Sequence, residues 1–383
     1  MTGPRAAHTR SLRAPMIVAA IASAMALSAG QAEASHVSCG DTITADTTLD
    51  SDLVNCPNNG IVIGADDITL DLNGHRIDGD GTEFAGCVKG EFCDVGVVNF
   101  GHDGVTLRDG SVREFADGVF LGRARHNRVL AISSSRHIFF GLFVVESARS
   151  VIRASSLRRN IAPEGDGMGL FGSRHVRIVN NKIRRNPGPG IHIEDSADNL
   201  IKGNLFSRNG PGLLIEGDRN QVRRNRFIRD GGVLVGSGGH NVIARNRAVR
   251  SFEGIAVEDG RGNLVARNVV VRSRGSAAIR LGIGQPPIGG ANNVVRRNLV
   301  RGGRENGFLV AKKDNDSVLR GNVAVGAADD GFHVRSRSTK LTRNRAVRNG
   351  DLGIQAVSGV TDGGGNKAGR NGNPLQCTRV ACG

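Results

Sequence analysis

The chain has no tryptophan and no tyrosine, and 14 phenylalanines among 383 residues are its whole aromatic content. The usual flat platforms for sugars are therefore scarce, which counts against a carbohydrate enzyme, and no aromatic series is visible on which successive nucleic-acid bases would stack. Methionine is as rare. Beyond residue 34 only Met168 remains, so soft-ligand copper chemistry has almost nothing to work with. Six cysteines occur without a CxxC motif or a Cys–His cluster, which argues against a metal site and for disulfides; no metal and no cofactor are expected. After residue 30 no apolar run is long enough to cross a bilayer.

What the sequence does contain is a repeat. "NQVRRNRFIRD" at 220–230 returns as "NVIARNRAVRS" at 241–251 and "NLVARNVVVRS" at 263–273. With the second Asn in register, the units are marked by Asn180, Asn204, Asn225, Asn246, Asn268, Asn298, Asn322 and Asn344, at intervals of 21 to 30 residues. The first position reads Asn199, Asn220, Asn241, Asn263 and Asn293, with His175, Ser317 and Thr339 elsewhere. Each unit also carries Gly followed by alternating apolar residues, as in "GIHIE" at 190 and "GLLIE" at 212. Alternation of period two marks strands with one buried face, and such units are too short for two packed helices. Stacked coils bring equivalent residues about 4.8 Å apart, so the Asn side chains are expected to bond up and down the stack. Gly and Asn are expected at the left-handed corners.

Residues 1–34 carry Arg5, Arg10 and Arg13, an apolar run at 16–30 and "AEA" at 32–34, the pattern of a secretory signal peptide. The organisation that follows is an N-terminal cap at 35–58, a solenoid at 59–365 and a C-terminal cap or tail at 366–383. The cysteines lie near the ends, and closeness in sequence favours Cys39 with Cys56, Cys87 with Cys93 and Cys377 with Cys382, although six permit other pairings. The expected location is secreted or extracytoplasmic.

The coils resemble the right-handed parallel β-helix repeat of the pectin-lyase-like superfamily, and "ITLDLNGHRIDGDG" at 68–81 is similar to a first coil of exported bacterial members. The resemblance implies an all-β, single-stranded right-handed parallel β-helix, here of about 12 coils and capped at both ends. It is specific for fold and weak for activity, since the superfamily includes lyases, hydrolases, epimerases and surface proteins. The Asp-Pro-His-Asp of alginate epimerases is absent, as are the Asn-Thr-Asp and Gly-His-Gly signatures of polygalacturonases.

Charge supplies the remaining clue. The formal net charge is +15, or +13 without residues 1–34, and much of the excess recurs at fixed repeat positions. Arg224, Arg245, Arg267, Arg297 and Arg343 each precede the second Asn; Arg208, Arg229, Arg250, Arg272 and Arg348 follow it by four. Stacking turns these positions into basic stripes whose mutual repulsion an elongated polyanion would relieve. The expected partner is an acidic polysaccharide or cell-surface glycan bound at Arg224, Arg245, Arg267, Arg297 and Lys312, with nucleic acid disfavoured. The alternative is a carbohydrate-active enzyme of polysaccharide lyase or uronan C5-epimerase type. Its residues would be Asp330, His333 and Arg335, gathered where "ENGFLVAKK" (305–313) stacks under "ADDGFHVRSR" (328–337).

Overall fold

The computed structural model describes residues 36–84, 87, 93–283 and 289–383. The segment with the export pattern lies outside these residues, as do parts of the loops at 82–95 and 282–293.

Among the described residues every strand pairing is parallel, and the coils stack three sheets side by side. The first sheet has 15 strands, from Asp41–Ile43 to Cys377–Thr378. The second runs from Thr47–Thr48 to Thr361–Asp362 and the third from Leu53–Cys56 to Lys367–Gly369. Only Thr106–Arg113 and Arg128–Ser135 pass unbroken through the corner between the second and third sheets. The solenoid has about 14 turns rather than 12, because residues 41–56 and 361–378 also form rungs.

One coil shows the rule. In Ile191–Glu194, Leu200–Lys202 and Leu205–Ser207 the inward side chains are Ile191, Ile193, Ile201 and Phe206, all fully buried. Burying each contributes about 1.5–3 kcal/mol, and the same positions recur coil after coil to make one continuous core. Rings stack where they meet within it: Phe206 lies 4.7 Å from Phe227 and Phe308 lies 4.5 Å from Phe332, both nearly parallel.

Asparagine seals the corners. Asn204 Oδ1 accepts from the backbone N–H of Asn181 at 2.8 Å and from its Nδ2 at 3.1 Å, while Asn204 Nδ2 donates to Ile178 O and to Asn225 Oδ1. This ladder continues through Asn246, Asn268, Asn298, Asn322 and Asn344 to Asn366. A second ladder runs Asn199, Asn220, Asn241, Asn263, Asn293 and ends on Ser317. A third, which the repeat alignment missed, links Asn160, Asn186, Asn209 and Asp230, and reappears at Asn349 and Asn371. Two expectations are corrected by one residue. The ladder members in the coil at 176–184 are Val176, whose N–H reaches Asn199, and Asn181; His175 and Asn180 are corner residues with φ of 58°.

The corners themselves differ from expectation. Among the described residues arginine supplies 18 of the 37 non-glycine residues at positive φ and asparagine four, so the Asn positions lie inside the turn and Arg occupies the left-handed corner just before them. The three disulfides pair as neighbours in sequence, Cys39–Cys56, Cys87–Cys93 and Cys377–Cys382.

Candidate functional site

Two features of the surface gather functional side chains. The first is the corner between the third sheet and the return to the first. Strand register places Arg136, Arg159, Arg185, Arg208, Arg229, Arg250 and Arg272 in seven consecutive coils of one column. Gly302 and Gly326 interrupt it, and Arg348 and Arg370 resume it. The spacing in the sequence marks the later members; Arg136, Arg159 and Arg185 stand before less regular Asn or His positions ("SRHIFF", "RRNIAP", "RRNPGP") and carry no such mark. All seven have φ between 51° and 63°. A side chain with a Cβ costs about 1–2 kcal/mol in this region, so the choice of Arg over Gly is not dictated by the backbone.

Arg136 pairs with Glu114 at 2.7 Å, but Arg159 through Arg272 have no carboxylate within 4.0 Å among the described residues. Burial, then the charges of Arg184, Arg159 and Arg136, holds the Arg158 guanidinium below its ordinary pKa. Beside Arg208, Arg229, Arg250 and Arg272 runs a shallow groove floored by Ile228, Val249 and Val271. The parallel column Arg224, Arg245, Arg267 and Arg297 lines the corner between the second and third sheets, also at left-handed φ. Lys312 is exposed in the turn after Asn306–Val310, a different corner, and does not join either column.

The second feature lies on the outer face of the first sheet. One outward column reads His192, Leu214, Leu234, Ala256, Arg280, Leu309, His333 and Gln355. Around its C-terminal part a groove of about 490 Å³ is lined by Glu253, Arg280, Glu305, Asn306, Asp329, His333 and Arg335, among others. Thus His333 and Arg335 meet there as the sequence suggests. Asp330 is brought close but turned inward: it is 1% exposed, its Oδ1 accepts from Leu352 N–H and its Oδ2 bonds His333 Nδ1, both at 2.9 Å. It therefore orients the imidazole, leaving Nε2 free of that bond, while of the two aspartates it is Asp329 that lines the groove. Burial first, and then the charge of Asp330, raises the Asp329 carboxyl above its ordinary pKa.

Below them Arg280, 12% exposed, is clamped by Glu253 and Glu258, each at 2.8 Å. Burial opposes its charge, but the two carboxylates outweigh that and raise its pKa. At the other end of the face, His192 is held by Asp166 at 3.5 Å and Glu216 at 3.1 Å, which raise its pKa against the effect of burial.

The expectation of no aromatic series is also corrected. Phe100, Phe120, Phe143, Phe140 and Phe171 form a continuous chain of ring contacts on this face and end against His192. Gly122 and Gly169 make room for it, since a methyl there would meet Phe120 at 2.5 Å or Phe140 and Phe143 at 2.8 Å. Alternation in short strands hides such a strip, because its members come from four different coils.

A comparison with curated protein sequences finds no match. Solved structures with similar folds include the surface adhesin PfbA of Streptococcus pneumoniae (11% identity over 79% of this chain and 83% of that one, TM-score 0.46). The A-module of the mannuronan C-5 epimerase AlgE6 of Azotobacter vinelandii is 15% identical over 85% and 89%, with a TM-score of 0.42. The catalytic domain of a GH87 α-1,3-glucanase is 12% identical over 87% and 64%, with a TM-score of 0.47. Identities this low speak to fold and not to chemistry. The family described as right handed beta helix region matches residues 47–246, 166–324 and 211–371 in overlapping placements, and the chain belongs to it.

Proposed function

We propose that this is an exported protein that binds or organises a linear anionic polymer, a polyuronate-like glycan, along its arginine columns. Export is supported by the N-terminal pattern at 1–34 and by three disulfides. The observation that carries the binding reading is the run of six arginines, Arg159 to Arg272, without carboxylate partners among the described residues. They recur about every 4.8 Å, close to the length of one sugar residue, so a glycan with one charge per residue would meet one guanidinium per coil. The aliphatic floor beside them favours a ring face over a solvated phosphate.

The test uses immobilised polygalacturonate and a variant with Arg208, Arg229, Arg250 and Arg272 all changed to Gly. Glycine already serves at Gly302 and Gly326 in this column and is at ease at positive φ, so the variant should fold with an unchanged Tm. Salt-sensitive retention should drop at least about tenfold. Retention that survives the change, or none at low salt in the parent protein, would refute the reading.

A second reading, a polysaccharide lyase or uronan C5-epimerase, is favoured by one observation, the Asp330–His333 pair in an acid-lined groove. In it His333 would remove the C5 proton, Asp330 would position it, and Arg335 would meet the carboxylate. Absence of both unsaturated uronate formation and C5 deuterium exchange on polyuronates would end it.

A further inference from the structure

We propose that Asp329, Asp330 and His333, with Asn306 beneath them, form a binding site for a first-row divalent metal cation of the Zn²⁺ or Mn²⁺ kind. One ligand atom from each of the first three lies within 4.8 Å of the others. His333 Nδ1 and Asp330 Oδ2 are 2.9 Å apart, and two donors bound to one zinc at about 2.0–2.2 Å need to be only slightly further from each other. A cation entering there takes the place of the hydrogen they share.

Asn306 supplies the independent observation. It occupies the coil directly below Asp330, it is 7% exposed, and it lines the same groove. Its Nδ2 donates to Ser276 O, which orients the amide, and its Oδ1 is buried with no hydrogen-bond partner. A buried carbonyl oxygen left unpaired costs about 1–3 kcal/mol, and a cation would satisfy it. The carboxylates of Glu305 and Asp351 stand near Asp329. Arg280 is already matched by Glu253 and Glu258, so among the described residues exposed Arg335 is the one opposing cation lining the groove, and the surroundings remain negative.

The donor set, one imidazole nitrogen with carboxylate and amide oxygens, decides the class. Calcium takes six to eight oxygens, whereas imidazole suits zinc and its neighbours and carboxylates suit manganese. The other histidine on this face is a natural contrast. His192 has its two ring nitrogens directed to Asp166 and Glu216 on opposite sides, so its carboxylates do not converge.

Titration calorimetry of the chain from Ser35 with ZnCl₂, MnCl₂ and CaCl₂, without polymer, tests the site separately from the arginine columns. One saturable site per chain is expected. Asp329→Asn and His333→Gln should each weaken binding at least about tenfold, Asn306→Ala by a few-fold, and His192→Gln not at all. Asp330 is left intact because its bond to Leu352 N–H supports the backbone. Circular dichroism should show the variants folded as the parent. Unchanged affinity in Asp329→Asn and His333→Gln, no saturable site, or tighter binding of Ca²⁺ than of Zn²⁺ would overturn the proposal.

Discussion

At the scale of single residues, the ladders show what a conservative exchange does. Asp230 takes an asparagine's place in the third ladder, accepting from the N–H and Nδ2 of Asn209, and burial pushes its carboxyl up to about 7. A carboxyl raised above its unfolded value favours folding only while protonated, so its contribution is greatest below its ordinary pKa and is lost as pH rises toward 7. Asp230→Asn restores the ladder amide and removes this dependence. The gain in Tm should be smallest near the ordinary carboxyl pKa, about 4, and complete above 7, as thermal melts across that range would show. His137 works in the opposite sense. Buried with a pKa lowered to about 4, it favours the fold when neutral and weakens it in acid, so the parent protein's own profile mixes the two. Comparison of variant with parent isolates Asp230. The alternation of Ile191, His192 and Ile193 made inward and outward faces legible in the sequence. The inward turn of Asp330 was not legible, because Asp before Gly reads equally as a turn residue, and only the N–H of Leu352 in the next coil reveals what it serves.

At the scale of the coil, stability comes from equivalent residues touching their copies. Asn246 accepts from the N–H and Nδ2 of Asn225 and donates to Val222 O and Asn268 Oδ1. Asn246→Ala strands several of these buried groups at once and should cost about 3 kcal/mol or more, read as a fall in denaturation midpoint. Arg245→Gly, one residue earlier at the exposed left-handed corner, should leave the midpoint nearly unchanged. The contrast separates scaffold from surface within one dipeptide. Period and spacing revealed the first two ladders because Asn recurs in them with few gaps. The third has Asp230, Ser251 and Ser273 in place of Asn, and the Phe100–Phe171 strip assembles from residues far apart in sequence, so neither has a local signature.

For the whole molecule, the proposed function follows from repetition: a corner that needs a left-handed residue once per coil carries a cation in most coils instead of glycine, and stacking makes the cations a column. The fold was read from the repeat, and the columns from their spacing. That six of these arginines have no carboxylate partner among the described residues needed the structure, since acids such as Glu194 and Glu216 are numerous but stand on the first sheet. The columns predict a dependence on ligand length that isolated charges would not give. The most direct measurement is the affinity of the chain from Ser35 for oligogalacturonates of increasing length at fixed low salt. Affinity should climb with each added residue until the oligomer spans the six unpaired arginines from Arg159 to Arg272, about 24 Å, and then level off. Affinity that is the same for a disaccharide and for an oligomer of that span, or that keeps climbing at the same rate well beyond it, would contradict it.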